Sequence, residues 1–375
     1  MTGGIARVFA LACALGLASL PALAARVVDP ATARQAIENP NAAARDADLS
    51  ALAARGRATE LAARLELFAH DATLTDVAQE WLLDRGLHAL ARLEPTRESR
   101  AIVARLASRA PVVYTRLDPD HGDRATPLYD AGATARFVLR SWDRNDARAT
   151  AQAELEANLT QPVDRYGQHA VEDDRDPVLE GIAEAFRVAP LSELAAQRPA
   201  VSAALAQGQR VDALALILAE RFANPALFDL VFDNAGEQTA LAAIPAATRA
   251  LDASSALTAL TRASRRPDVG SAAVLEIGRL AKRDPDALAF LFDALVDPRI
   301  APSAAAALGR VTDPAVSAEV GQRLSQARSE KERRLLVLAL RLDANPAARS
   351  ELEQFANSGV GSPKLQKEVR QWLAR

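Results

Sequence analysis

Asp118, Asp120, His121 and Asp123 fall within six positions. Oxygen ligands at alternate positions are what a loop needs to wrap a hard cation such as calcium. The stretch lacks the following apolar residue and the distant Glu of an EF-hand loop. Asp side chains that bond their own backbone in turns account for the same composition. A solvated turn is therefore expected, with a cation loop as the alternative. The histidines are His70, His88, His121 and His169. None stands four residues from another and none sits in H-E-x-x-H, so no zinc-binding helix is written here. No nucleophile elbow, Walker A loop or dinucleotide glycine turn occurs. No catalytic residue, cofactor or metal is assigned.

Two sets of residues are candidates for binding. Arg249, Arg279, Arg310 and Arg341 stand 30, 31 and 31 positions apart. On stacked helices they would line one edge, where guanidinium groups hold carboxylates or phosphates through paired N–H donors. The duller reading is that arginines near helix C-termini complement the dipole and keep an edge soluble. The second set is aromatic: Tyr114, Tyr129 and Trp142, with Phe137 five residues before Trp142. Tyr and Trp are favoured anchors at interfaces. In a chain with only 4% aromatics they are equally the residues available to fill a core.

What must position these groups is helical. Of 375 residues, 49% are hydrophobic and 25% charged, an ordinary globular balance. Alanine supplies nearly a quarter of the chain and Arg outnumbers Lys about ten to one. Abundant Ala, Leu and Arg with few β-branched residues favour helix over sheet. The net charge of -3 argues against a general nucleic-acid binder.

The segment 1–24 has the layout of a secretory signal peptide: Arg7, an apolar run from Val8 to Leu20, Pro21, then Ala22-Leu23-Ala24. The only cysteine, Cys13, lies within it. The expectation is an exported, periplasmic or secreted bacterial protein. Its mature part would carry no thiol and no membrane span, since no later segment is long and apolar enough to cross a bilayer.

Between 25 and 210 helices are expected without one period. They cover Leu49–Ala69, Leu74–Arg92, Thr96–Ser108, Ala133–Arg144, Asp146–Leu159, Pro177–Val188 and Leu191–Gln197. Arg26–Pro40 reads as a frayed or extended lead-in. Residues 111–130 read as an irregular insertion with β-type composition at Val112–Thr115, and Gln161–Asp176 as a second loop. Residues 111–180 carry fourteen acids against eight arginines, and residues 331–375 nine bases against five acids.

From 211 to 375 a rhythm of about 30 residues takes over. Helix starts fall at Asn224-Pro225, Ser254-Ser255, Asp284-Pro285, Asp313-Pro314 and Asn345-Pro346. Asn, Ser and Asp accept from orphan N–H groups, and Pro fits the first helical position. Second helices are expected near Thr239, Ser271, Ala301, Lys331 and Lys364. Ser329 and Glu332 have capping-box spacing before the Lys331 helix. That helix is apolar almost all round, so Leu338 is assigned to the core. The block Ile277-Gly278-Arg279-Leu280 returns as Leu308-Gly309-Arg310-Val311 and Ala339-Leu340-Arg341-Leu342. A two-helix unit of this size buries its apolar face only by stacking on neighbours.

On the Asp/Asn-Pro starts, this block and the period, the segment resembles the short HEAT-like branch of the HEAT-repeat superfamily. The resemblance implies an all-α fold, an α-solenoid of stacked antiparallel helix pairs behind a less regular helical N-terminal part. It also implies a non-catalytic scaffold binding a protein or peptide partner, here one in the cell envelope. The alternatives are a lyase-like enzyme or enzyme accessory, and a metal-dependent envelope-binding module using Asp118–Asp123.

Overall fold

The computed structural model describes residues 26–116, 125–173 and 175–374. The expected signal peptide and the Asp118, Asp120, His121 and Asp123 cluster lie outside the described residues. Twenty helices and three short strands are present among them. The fold is all-α. Packing divides the chain into two compact units, Met1–Trp142 and Asp143–Arg375. The expected repeat segment, 211–375, lies within the second.

In the first unit, β1 (Arg26–Val27) leads into α1 (Pro30–Glu38), α2 (Pro40–Ala54), α3 (Ala58–Phe68), α4 (Asp76–Leu90) and α5 (Arg97–Leu106). Then come β2 (Val113–Arg116), β3 (Ala125–Pro127) and the start of α6 (Ala131–Glu156). The lead-in expected to be frayed or extended is thus mostly helix, since Asp29 caps α1 by accepting from Ala31 and Thr32 N–H. The helix expected over Leu49–Ala69 is broken in two by Gly56, whose φ of 68° only glycine adopts cheaply. The β-type residues do form a strand: β2 pairs parallel with β1 and antiparallel with β3, Tyr114 opposite Pro127. Helix α2 packs on α4, and α3 on both α4 and α5, around Leu61, Leu65, Leu82, Leu83, Leu87 and Leu90.

The division falls inside α6. Two helices were expected there, separated at Asn145, yet the chain runs helical for 26 residues. An interior Asn costs only a few tenths of a kcal/mol. The buried series Ala131, Ala135, Val138, Trp142 and then Ala147, Ala151, Leu155 keeps helical spacing across it.

The second unit continues with α7 (Gln161–Glu172), α8 (Pro177–Val188), α9 (Leu191–Ala206) and α10 (Asp212–Arg221). Helix α7 replaces an expected loop. Its polar composition hides Val163, Tyr166 and Ala170, which are buried on one face. Helix α9 runs through Pro199 and ends nine residues later than expected. Then follow α11 (Pro225–Asn234), α12 (Glu237–Ala250), α13 (Ala253–Ala263), α14 (Gly270–Leu280), α15 (Pro285–Ala294) and α16 (Ala301–Leu308). The last four are α17 (Pro314–Gln326), α18 (Glu330–Leu342), α19 (Pro346–Asn357) and α20 (Pro363–Leu373).

Asn224, Asp284, Asp313 and Asn345 all cap as expected. The Ser254 start is corrected: Asp252 is the cap, accepting from Ser255 N–H at 3.0 Å. That contact holds the Asp252 carboxyl below its ordinary range. The capping box at α18 is corrected in part. Ser329 accepts from Glu332 N–H, but the Glu332 carboxylate accepts from Arg328 N–H and not from that of Ser329.

The helices form two rows. Every second helix packs on the next, α8–α10–α12–α14–α16–α18, and α7–α9–α11–α13 do likewise opposite them. Consecutive helices joined by short turns pack on one another, for example α10 on α11, α13 on α14 and α19 on α20. This progression is that of a helical solenoid, and it begins at α7, earlier than the 211 expected from the rhythm. One continuous hydrophobic cluster runs from Ala151 to Val369.

Within α18, Leu336 and Leu340 are buried, but Leu338 is only half-buried and Leu342 is 48% exposed. The core face is therefore one step from the residue assigned. Leu336→Ala should cost about 2–5 kcal/mol, and Leu338→Ala clearly less. Urea midpoints of the two variants side by side check this. An equal loss would show that α18 presents a different face to α16.

Candidate binding surface

The repeated arginines fall at equivalent places in the second row. Arg249, Arg279 and Arg341 lie in the last turns of α12, α14 and α18, and Arg310 in the turn after α16. All four are exposed. Arg249 reaches back to Glu220 on α10 at 3.1 Å. Arg279 bonds Glu276 on its own helix at 2.8 Å. Arg341 lies over the Trp372 ring, 4.4 Å from its centroid. The exposed Arg249–Glu220 pair is worth about 0–1 kcal/mol, so an incoming carboxylate can displace it, whereas Arg279 is held by a buried carboxylate.

A second arginine set was missed from sequence. Arg221 donates to Ala189 O at the end of α8, and Arg266 to Phe232 O and Ala235 O at the end of α11. Arg299 donates to Arg265 O beyond α13, Arg333 to Ala327 O after α17, and Arg370 to Ala356 O in α19. In the first unit Arg109 and Arg136 do the same for Ala69 O and Ala107 O. These groups satisfy helix-end carbonyls that have no intrahelical donor. The Arg249 series keeps the placement that the dipole role needs, with three of the four in last turns, and this second set adds direct bonds to the carbonyls. The signal available was an Arg placed some 31 to 34 residues after a helix end, as in Arg266 and Arg299.

The aromatic residues do not act together. Trp142 is fully enclosed, its indole N–H donating to Leu93 O at 3.0 Å and Leu90 O at 3.3 Å. It offers no surface, and as a docking residue it is corrected to core. Tyr114 is half-buried on β2. Tyr129 packs against the small cluster of Val28, Ala33, Val77 and Val113, and burial raises its phenol pKa. Phe137 is 55% exposed, 6.5 Å from the ring of His88. Among the described histidines, His88 Nδ1 bonds Asp84 O at 2.9 Å and His169 Nδ1 bonds Asp176 at 2.7 Å. No group of three metal-ligating side chains occurs among the described residues.

One buried charge pair stands out. Glu80 in α4 has no exposed surface, and its Oε1 accepts from Arg109 Nε at 3.0 Å. Burial raises the Glu80 carboxyl above its ordinary range, although Arg109 and the Ala131 amide pull it down. The pair ties α4 to the segment after α5 and, through Arg109 and Ala69 O, to the end of α3. It lines none of the clefts described below.

The second row is drawn tight by small residues. A Cβ on Gly278 would meet the Ala307 Cβ at 2.8 Å, and one on Gly309 would meet Ala339 O at 2.5 Å. So α14, α16 and α18 approach closely at the repeated block. The first row does not follow. Helix α11 packs on α13 and α17 on α19, but α15 makes at most marginal contact with α13 and α17. A cleft opens on each side of α15. One, of about 390 Å³, is lined by Asp229, Leu257, Thr258, Arg262, Arg265 and Phe290. The other, of about 520 Å³, lies among the ends of α15 and α17 and the start of α18. In the first unit a cleft of about 500 Å³ between α2 and α4 contains Asp46, Ser50, Asp84 and His88.

No family model and no curated protein matches this chain.

Proposed function

We propose that the chain is an exported helical-repeat protein of the HEAT-like type, a scaffold that binds a protein or peptide partner of the cell envelope. The observation that carries the reading is the second row itself. Five consecutive packed helices, α10 to α18, repeat one geometry, and four of the units set an exposed arginine at the same place on it. Extended repeat surfaces suit long partners because each unit adds the same modest contact. The Asp/Asn caps and the Gly-Arg block at about 30-residue spacing support the HEAT-like assignment, and the layout of residues 1–24 supports export.

The test is a double substitution, Arg279→Glu with Arg310→Glu, in the chain lacking residues 1–24. The immobilised parent should retain a partner from envelope extract, and the variant should lose at least tenfold of it while keeping its circular dichroism. Arg310 is exposed and makes no ion pair among the described residues, but Arg279 holds the buried Glu276 carboxylate, so an unchanged urea midpoint is required of the variant, and Arg310→Glu alone serves as the second variant. Equal retention by parent and variant would remove the arginine row from the account. Turnover of a small substrate with no retained partner would end the scaffold reading.

A further inference from the structure

The cleft between α15 and α17 has a composition that the arginine row does not. Its floor is apolar, formed by Phe292, Leu295, Leu335 and Leu336. At its lip Val296 stands 84% exposed, the most exposed large hydrophobic residue among those described. An isoleucine-sized side chain from elsewhere would find there what Val296 lacks, an apolar neighbour on its open side.

The rim is cationic on one side. Arg323 lies over the Phe292 ring, 4.0 Å from its centroid, and is already held by Glu319 at 2.8 Å. Arg328 and Lys331 are different: neither side chain meets a carboxylate among the described residues. Arg328 precedes α18 and Lys331 lies in its first turn. The acids of the cleft are Asp293, at the opposite lip, and Glu332, which is committed to the Arg328 amide. The N-terminus of α18 is itself satisfied, capped by Ser329 and flanked by Glu330 and Glu332, so a carboxylate entering beside it gains the two unpaired cations alone. A cationic group at the same place would meet repulsion.

We infer that this cleft docks an acidic segment of the partner, one in which a carboxylate lies next to a large apolar side chain. The apolar side chain covers Val296 and the floor, and the carboxylate sits between Arg328 and Lys331. The inference rests on the scaffold reading and gives its partner a chemistry. The gap beside α15 supplies the room, because the closely packed second row leaves the first row open there.

A fluorescent decapeptide alternating Glu with Leu and Phe is the probe, titrated by anisotropy against the chain lacking residues 1–24. Two matched peptides are the controls, one with Lys for Glu and one with Ser for Leu and Phe. The acidic-apolar peptide should bind at least tenfold more tightly than either control, and more weakly as salt is raised. Arg328→Glu with Lys331→Glu should weaken it at least tenfold, and so should Val296→Asp. These positions are on the surface, and an unchanged urea midpoint verifies that the variants fold. Arg279→Glu with Arg310→Glu should leave probe affinity unchanged. Failure of the parent to bind the probe, equal binding of the controls, or full binding by the cleft variants each overturns the inference. If the cleft variants still retain the envelope partner, the cleft is wrong and the scaffold stands. If the parent retains no partner, the scaffold itself is wrong.

Discussion

Arg109→Met destabilises the chain by about 3 kcal/mol near neutral pH. Removing one member of a buried ion pair leaves the other charged and without compensation, at a cost of about 3–5 kcal/mol. The low end applies because Arg109 itself is 21% exposed while Glu80 is not exposed at all. The loss also strips a donor from Ala69 O. The pH dependence separates this cause from simple loss of packing. The Glu80 carboxyl already titrates above its ordinary range because burial disfavours its charge. A folded-state pKa raised above the unfolded value means the native state holds the proton to higher pH. Stability from this group is therefore greatest where it is protonated and falls as pH rises through the raised value. Removing Arg109 takes away the main contribution that lowers it. The difference between variant and parent should shrink as pH falls into the range where Glu80 protonates. Unfolding by urea at several pH values reads this directly, and a difference independent of pH would show that Glu80 is not charged in the native state. Glu80→Gln combined with Arg109→Met should recover most of the loss.

Trp142→Ala costs about 3–5 kcal/mol, the range for a large aromatic removed from a packed core. The ring is fully enclosed beside Val138 and the leucines of α4, and Arg100 stacks 5.5 Å from its centroid. The indole N–H bonds two carbonyls at the end of α4, which would then lack that donor. Phe137→Ala, on the same helix, should stay within about 0.5 kcal/mol, as surface changes do. Urea midpoints followed by circular dichroism give both values. Comparable losses at the two positions would mean that α6 is rotated from the face described.

Those two residues also show what the sequence could convey. Periodicity and caps announce helices, and the starts at Asn224, Asp284, Asp313 and Asn345 were legible because a capping side chain leaves a local mark. The break at Gly56 was also marked locally, by the glycine itself, yet the apolar series on either side looked continuous. Helix α7 was hidden because its buried face is only Val163, Tyr166 and Ala170 amid polar neighbours. Which face of α18 lies inward was not legible, since a helix apolar nearly all round has no moment to read. The two arginine sets look alike in one dimension. Only tertiary placement tells Arg266, turned onto the carbonyls of α11, from Arg310, left facing water. The clefts beside α15 are further from reach, because they arise from helices that fail to touch.

The guanidinium groups that close helix ends have an orientation along the chain. Most lie downstream of the carbonyls they cover: Arg221 after α8, Arg266 after α11, Arg299 after α13. These tails are thus sheltered by something synthesised later, whereas the final one, α20, is covered from the preceding helix, where Arg349 donates to Leu373 O at 2.7 Å. Shortening the polypeptide from its carboxyl end uncovers tails such as those of α8, α11 and α13. A nascent chain leaving the ribosome completes each of those only when the following segment has emerged.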